Sequence, residues 1–272
     1  MVKKALCVGI NKFKKYPENA LNGCINDAND MKNLLIKYMG FKEKEIVKLT
    51  DSKATKVNIM KNLEEMVNGA RTGKYDALAF SLSSHGTQIP DTSGDESDRA
   101  DEAFCPYDLS ALGNMWDPDH IITDDELHDL FLQLPENVSL EVYLDTCHSG
   151  SGLKAMDPLP DRYPRYIPPP SAMAFKNIDM IPKAAQPLLS KGLGNKILWA
   201  ACKSDQTSAD AHIDGAYHGA FTYYFCKEVK ASKNKLSRDE IINKVMNDLK
   251  TEKYSQIPQL ECDATTREKC FG

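Results

Sequence analysis

Short apolar runs alternate with longer segments of helical periodicity along most of the chain. Runs rich in Val, Ile and Leu predict five β-strands, at Lys4–Ile10, Ile46–Thr50, Asp76–Ser83, Ser139–Asp145 and Lys196–Ala201. Apolar residues that recur every three or four positions predict five helices, at Ile25–Met39, Lys56–Ala70, Asp124–Leu134, Ala220–Lys230 and Arg238–Lys253. This alternation is typical of an α/β fold, with a mainly parallel sheet covered by helices on both faces.

Local signals define several ends of these elements. Thr123 with Glu126, and Ser237 with Glu240, have the spacing of a capping box, in which each side chain satisfies a free backbone N–H at a helix start. The segment 257–262 predicts a further strand. Its Pro258 restricts that strand to an edge or an entry position, since proline has no N–H to donate.

The segment from residue 157 to residue 195 interrupts the alternation. It contains eight prolines, at positions 158, 160, 164, 168, 169, 170, 182 and 187. This density excludes a regular helix or a central strand and predicts a long loop or a linker. We expect a single domain over 1–272, because the fifth strand should join the same sheet. Within it, 1–156 forms a larger part, 157–195 the proline-rich linker and 196–272 a smaller part.

Composition indicates a globular protein with a substantial core, since 42% of the residues are hydrophobic. No apolar run approaches the roughly 20 residues of a membrane-spanning helix. The first run, Ala5–Ile10, is too short for a signal peptide, so we expect a cytoplasmic protein. The eight cysteines include no C-x-x-C pair, which argues against a structural zinc site. A disulfide framework is not expected in a chain of this length without an export signal.

Acidic residues are concentrated between positions 91 and 129. This segment has ten Asp, three Glu and one Arg, whereas the whole chain has a net charge of only −5. Such a concentration forms either a solvated loop or a site that binds a hard cation or attracts a basic substrate. No basic stripe with interleaved aromatic residues is present, so we expect no nucleic-acid partner.

Two of the predicted strands end in residues that are able to do chemistry. His85-Gly86 follows the third strand and Cys147-His148 follows the fourth, at the carboxyl ends where parallel sheets place their ligands. An imidazole near a thiol can take its proton and later protonate a leaving amine. We therefore predict Cys147 as nucleophile and His85 as base, in preference to His148. The backbone N–H groups of Gly86 and Cys147 would be the oxyanion donors.

Eight segments, in this order and spacing, resemble the metacaspases, and in particular their short forms without an N-terminal prodomain. The Gln-Ala-Cys signature of true caspases is absent. The matching segments lie at 4–11, 21–28, 83–86, 94–96, 101–108, 124–127, 145–150 and 201–210.

The resemblance implies a caspase-like three-layer sandwich with a six-stranded, mainly parallel sheet. It also implies a cysteine endopeptidase that cleaves after Arg or Lys, with His85 and Cys147 as the catalytic dyad. The positions that match the family's pocket for the residue before the cleaved bond are Cys24, Asp27, Ser83 and Asp145. Two carboxylates in one pocket suit a cationic side chain.

The resemblance further implies a calcium site as an activator, although the chemistry itself needs no cofactor. Asp101, Asp124 and Asp125 match three calcium-binding positions of the family. The fourth position carries Lys154, which would repel the ion unless the loop offers Asp157 instead.

The linker also predicts self-cleavage, since it carries basic residues at 162, 165, 176, 183 and 191, followed directly by Lys196, that an enzyme of this specificity would cut after. Solvation of a loop is the alternative role for these charges. As a partner we expect a peptide or protein substrate, acted on by a monomer. The alternatives are a catalytically silent caspase-like regulatory domain, a zinc site formed by His85, Cys147 and His148, and a related peptidase of asparaginyl or aspartyl specificity.

Overall fold

A computed structural model describes residues 1–90, 100–147, 161–171 and 195–271. Its strands are β1 (Lys3–Gly9), β2 (Ile46–Thr50), β3 (Ala77–Ser83), β4 (Gly86–Pro90), β5 (Ala100–Phe104), β6 (Ala111–Leu112), β7 (Met115–Trp116), β8 (Ile122–Thr123), β9 (Ser139–Asp145), β10 (Arg162–Pro164), β11 (Lys196–Ala200), β12 (Ala209–Ile213), β13 (Ala216–Gly219) and β14 (Gln259–Glu261). Its α-helices are α1 (Cys24–Tyr38), α2 (Lys56–Arg71), α3 (Asp124–Leu132), α4 (Ala220–Ser232), α5 (Arg238–Thr251) and α6 (Ala264–Arg267).

A six-stranded sheet forms the centre of the molecule, in the order β14-β11-β9-β3-β1-β2. The pairs from β11 to β2 are parallel, and only β14 runs antiparallel to its neighbour. The fold class predicted from the sequence is therefore confirmed. The fifth predicted strand, β11, pairs with β9 in this same sheet.

Helices cover both faces of the sheet, and each face has its own apolar core. On one face, residues of α2 and α3 such as Leu63 and Phe131 pack in a cluster that includes Phe80 of β3. On the other face, α1, α4 and α5 form a second cluster, in which Phe225 contacts Trp199 of β11 ring to ring. Alternate residues of the strands serve the two clusters, because successive strand side chains point to opposite faces.

Three small antiparallel sheets, β4-β5-β8, β10-β12-β13 and β6-β7, lie outside the pattern predicted from the sequence. Their strands have two to five residues and lack the near-continuous Val, Ile and Leu runs by which the strands of the central sheet were predicted. The strand β10 lies inside the proline-rich segment, at the edge of its sheet, with Pro164 as its last residue. An edge position tolerates proline, so the exclusion of a central strand there agrees with the structure.

The predicted ends of the elements are largely reproduced. Both capping boxes form: in the second, Glu240 N donates to Ser237 Oγ at 3.2 Å and Ser237 N donates to Glu240 Oε2 at 2.8 Å. The strand after Pro258 is β14, an edge strand of the central sheet. Within the described ranges, no helix combines the length and apolarity that crossing a membrane requires.

The capping box of α5 yields a stability prediction. Ser237→Ala removes the acceptor for Glu240 N, and loss of such a cap lowers the free energy of unfolding by about 1 kcal/mol. Chemical denaturation of the two proteins measures this difference. Thr251→Ala is the control at the other end of the helix, where the hydroxyl only donates back to Asn247 O. Equal effects of the two changes would contradict a capping role for Ser237.

Candidate active site

The register of two neighbouring strands brings the two candidate catalytic segments to one edge of the sheet. Strands β3 and β9 are parallel, and their last residues, Ser83 and Asp145, are direct partners. His85 and Cys147 each follow two residues later, so both chain segments leave the same edge at the same level. Both side chains are buried, His85 at 4% exposure and Cys147 at 0%.

The imidazole of His85 is held in one orientation. Its Nε2 lies 2.8 Å from the carbonyl oxygen of Asn19, and its ring packs against Phe13. A carbonyl oxygen only accepts, so Nε2 carries the proton and Nδ1 is the basic nitrogen. Nδ1 is buried, and the described part of the chain offers it no hydrogen-bond partner. Burial lowers the pKa of His85 to about 4, which keeps the ring neutral and able to accept a proton.

The thiol of Cys147 lies against the backbone of Ser208, just before β12. Ser208 N donates to Sγ at 2.5 Å, and Sγ lies 3.2 Å from Ser208 O. Cys202 is a second buried thiol nearby, and its hydrogen bond to Cys147, with burial, raises the Cys202 pKa well above its usual value.

The chain's own Arg165 fills the pocket beside Cys147. Its guanidinium is fully buried and lies 2.7 Å from Asp27, 2.9 Å from Asp210 and 3.2 Å from Asp145. It also donates to the backbone carbonyl of Asp145 at 3.1 Å. These acidic partners raise the pKa of Arg165 further, so the side chain is fully charged.

Backbone and hydroxyl donors hold the three carboxyl groups around the guanidinium. Gly219 N donates to Asp27, Ser208 Oγ and Thr222 Oγ1 donate to Asp145, and the N–H groups of Asn22 and Gly23 donate to Asp210. Burial raises the pKa of Asp27 above its usual value, because desolvation outweighs the opposing effect of Arg165. A Cβ atom on Gly219 would lie 2.2 Å from Asp145 Oδ2, so only glycine fits there.

Backbone groups next to Cys147 hold the backbone of Arg165. Its carbonyl oxygen accepts from Gly86 N at 2.9 Å and from Cys147 N at 3.3 Å. Its N–H donates to Ser208 O at 3.0 Å, and Ile167 N donates to Gly86 O at 3.0 Å. A Cβ atom on Gly86 would lie 1.7 Å from Cys147 O, so this close approach requires glycine.

The structure brings the sequence-predicted pocket residues together to different degrees. Asp27 and Asp145 contact the guanidinium directly, and the buried Cys24 lies near enough to interact with it electrostatically. Ser83 is buried beside Asp145 at the strand end, without a side-chain contact to Arg165 among those the structure defines. Sequence reasoning missed Asp210 as a pocket residue, although it closes the segment 201–210 that carried the resemblance.

The predicted calcium residues belong to the small sheet β4-β5-β8 and to the helix α3 that follows it. Asp124 and Asp125 begin α3, and Asp101 belongs to β5, which pairs with β8 immediately before α3. The side chain of Asp101 lies outside the described residues, as do Lys154 and Asp157. Among the side chains that are described, no three of His, Cys, Asp or Glu are placed to hold a metal ion. Of the three residues in the zinc alternative, His85 and Cys147 lie within the described ranges and His148 does not.

Comparison with known proteins decides the family. The family model described as "Metacaspase, peptidase C14 domain" matches residues 3–156 of this chain. The chain belongs to the metacaspase family, a family of cysteine-type endopeptidases. It is 32% identical over 304 residues to Metacaspase-1 of Cryptococcus neoformans, covering 95% of this chain and 62% of that protein. It is also 32% identical over 305 residues to Metacaspase-1A of Aspergillus oryzae, a match that covers 96% of this chain and 67% of that protein. The chain thus spans a little under two thirds of the length of the first of these metacaspases.

Solved structures agree with the fold of this metacaspase chain. A crystal structure of a protein from Geobacter sulfurreducens matches with a TM-score of 0.68 at 21% identity, covering 99% of this chain and 97% of the other. Caspase-1 from Spodoptera frugiperda matches with a TM-score of 0.60 at 12% identity, covering 96% of this chain and 86% of the other. These likenesses establish the caspase-like architecture alone.

The occupied pocket yields a prediction on stability and its pH dependence. In a Cys147→Ala background, Arg165→Leu leaves buried carboxyl groups without their cation and lowers the free energy of unfolding by about 3 kcal/mol at pH 8. The folded-state pKa of Asp27 already lies above its ordinary 3.8, and loss of Arg165 removes the main opposing influence. Protonation then favours the folded state, so the loss should shrink as the pH falls toward 5.

Denaturation of both variants at pH 8 and pH 5 measures this effect. Arg71→Leu is the matched control, because Arg71 is exposed and its guanidinium reaches only Gln133. A pH-independent loss for Arg165→Leu would contradict the pairing with buried carboxyl groups.

Proposed function

We propose that the chain is a cysteine endopeptidase that cleaves peptide bonds after Arg, and less rapidly after Lys, with Cys147 and His85 as its catalytic dyad. One observation carries this proposal: an Arg side chain lies among three carboxyl groups while its carbonyl oxygen accepts two backbone hydrogen bonds beside a thiol. The planar guanidinium of Arg has five N–H donors and can bond several carboxylates at once, whereas the ammonium of Lys is a compact point charge. This difference is the reason to expect faster cleavage after Arg.

The chemistry follows the usual course of thiol acyl transfer. His85 Nδ1 accepts the thiol proton of Cys147, and Sγ attacks the carbonyl carbon of the Arg residue. The N–H groups of Gly86 and Cys147 hold the oxyanion that forms. The C–N bond then breaks, and the imidazolium of His85 gives its proton to the leaving amine. Water, deprotonated by His85, hydrolyses the thioester and restores the thiol.

Calcium is a separate hypothesis that rests on the family positions of Asp101, Asp124 and Asp125. The steps above are written for the chain's own thiol, imidazole and backbone groups. Calcium would act on the conformation of the acidic segment, as an activator. Comparison of calcium and chelator in the assay below tests this hypothesis.

Hydrolysis of fluorogenic peptides that end in Arg, Lys, Asp or Asn tests the proposed activity. We expect turnover of the Arg and Lys peptides, Arg being faster, with no turnover by the Cys147→Ala variant. Each peptide is assayed with calcium and with chelator. A folded protein that hydrolyses none of them under either condition would instead support the silent regulatory domain, and Asp or Asn cleavage would support the related families.

Asp27→Asn tests the pocket in the same assay. It keeps the shape of the side chain but removes one buried partner of the substrate's guanidinium, which lowers kcat/KM for the Arg peptide by roughly 30-fold, equivalent to about 2 kcal/mol. Asp30→Asn is the matched control one turn along α1, where the carboxylate pairs with His218 and Lys230 instead. Equal losses in both variants would remove Asp27 from the pocket.

Self-processing is part of this proposal, and the geometry supports the bond between Arg165 and Tyr166 as its site. Of the linker cations predicted as cleavage points, Arg165 is the one that occupies the pocket, while Lys196 is part of β11. The positions 176, 183 and 191 lie outside the described residues. Cleavage after Arg165 would give the fragments 1–165 and 166–272.

Purified protein incubated over several hours tests self-processing. We expect the parent chain to give two fragments, the second beginning at Tyr166 by N-terminal sequencing, while Cys147→Ala remains one band. Arg165→Ala should abolish this cut, whereas Lys196→Ala should leave its position unchanged. An intact parent chain with and without calcium, or a cut elsewhere only, would contradict cleavage at this bond.

A further inference from the structure

Arg162, three residues before Arg165, is bound by a second set of groups. Its guanidinium carbon lies 3.7 Å from the centre of the Tyr254 ring. Its Nη1 donates to Lys253 O at 3.0 Å and its Nη2 to Glu252 O at 2.8 Å. These contacts come from one short segment, 252–254, that immediately follows α5.

The position of this segment explains why it attracts a cation. Glu252 caps the C-terminal end of α5, where unpaired carbonyl groups give the helix a partial negative charge. Lys253 has a φ of +61°, and this left-handed residue turns the chain so that its carbonyl and that of Glu252 face the same guanidinium. The ring of Tyr254 then covers the face of the cation.

The Tyr254 ring is also held by contacts other than the one with Arg162. It is 8% exposed, it contacts Tyr224 edge to face, and its backbone N–H donates to Leu249 O. A rigid aromatic face binds with little loss of conformational entropy. The ring borders a groove of about 580 Å³ that also includes the carboxylates of Asp161 and Asp214.

The chain segment between the two arginines is bound as a β-strand. Strand β10 pairs antiparallel with β12, Arg162 opposite Ala211 and Pro164 opposite Ala209. Addition of an extended peptide to a sheet edge is a common mode of peptide recognition: backbone bonds supply affinity and side-chain pockets supply specificity. Residues 162–165 therefore have the pose of a four-residue substrate that ends at the cleaved bond.

We propose that Tyr254, with the carbonyl groups of Glu252 and Lys253, forms a second cation-binding subsite, which takes an Arg or Lys side chain three residues before the residue at the cleaved bond. This inference rests on the proposed function, since it assigns a subsite of the same cleft. Substrates of the pattern Arg-x-x-Arg are favoured, and the chain's own Arg-Tyr-Pro-Arg is such a sequence.

Two fluorogenic peptides isolate the charge at this position: Arg-Tyr-Pro-Arg and the same peptide with citrulline, an uncharged analogue of nearly the same shape, in place of the first Arg. We expect kcat/KM about 10-fold higher for the Arg peptide, from the cation–aromatic contact and the charge-assisted hydrogen bonds together. Tyr254→Leu should reduce this ratio to about 2, since the carbonyl groups remain, and Tyr254→Phe should preserve it.

Tyr217→Leu is the matched control, because it removes the neighbouring ring that faces Tyr163 rather than Arg162. Its ratio should equal that of the parent. A ratio near one in an enzyme that cleaves both peptides, or a ratio that Tyr254→Leu does not change, would overturn the subsite while leaving the proposed function intact.

Direct binding separates failure of the subsite from failure of the proposed function. In the Cys147→Ala/Arg162→Gln/Arg165→Ala chain, neither arginine of the protein occupies the cleft. Fluorescence anisotropy then compares the Kd values of the two labelled peptides. A lower Kd for the Arg peptide than for the citrulline peptide supports the subsite. If the parent chain at the same time cleaves neither peptide, the proposed function is contradicted and the subsite is not. Equal Kd values overturn the subsite.

Discussion

A single buried guanidinium connects three separate parts of this chain. Arg165 pairs with Asp27 of α1, Asp145 of β9 and Asp210 of β12, and all four side chains are 2% exposed or less. Charges so deeply buried are unstable unless they are paired and hydrogen-bonded. The segment around Arg165, the helix start and the two strand ends must therefore fit one another closely. The arrangement of the surrounding backbone donors follows from the same requirement.

The same contacts bear on the proposed binding of a peptide. Acidic groups hold the guanidinium of Arg165, two backbone N–H groups and a carbonyl bond its peptide unit, and β12 pairs with the residues before it. None of these contacts depends on the ligand being part of the same chain. Under the proposed function, an outside substrate would use the same contacts.

The parallel sheet supplies the rigidity that such a site needs. Strands β3 and β9 lie between other strands and are packed on both faces by the two apolar cores. His85 and Cys147 follow their ends directly, so little flexible chain separates each of them from the sheet. The second subsite rests instead on the C-terminal end of α5, which packs on the same sheet through Ile241, Val245 and Leu249. Both pockets are thus anchored to elements packed in the apolar cores of the central sheet.

The sequence by itself determined the elements of the central sheet, because apolar periodicity and capping signals are local properties of the chain. Five strands and five helices lie where the pattern predicted them, within a few residues, and the family was identified from short ordered motifs. Two residues at parallel strand ends sufficed to predict His85 and Cys147, and that assignment stays a prediction until activity is measured. Only the tertiary structure decided which residues meet across long separations. Asp210 joins Asp27 in one pocket, Arg165 out of several linker cations fills it, and Tyr254 covers Arg162 from 92 positions away. Such contacts follow from the packing of whole elements, which no local pattern encodes.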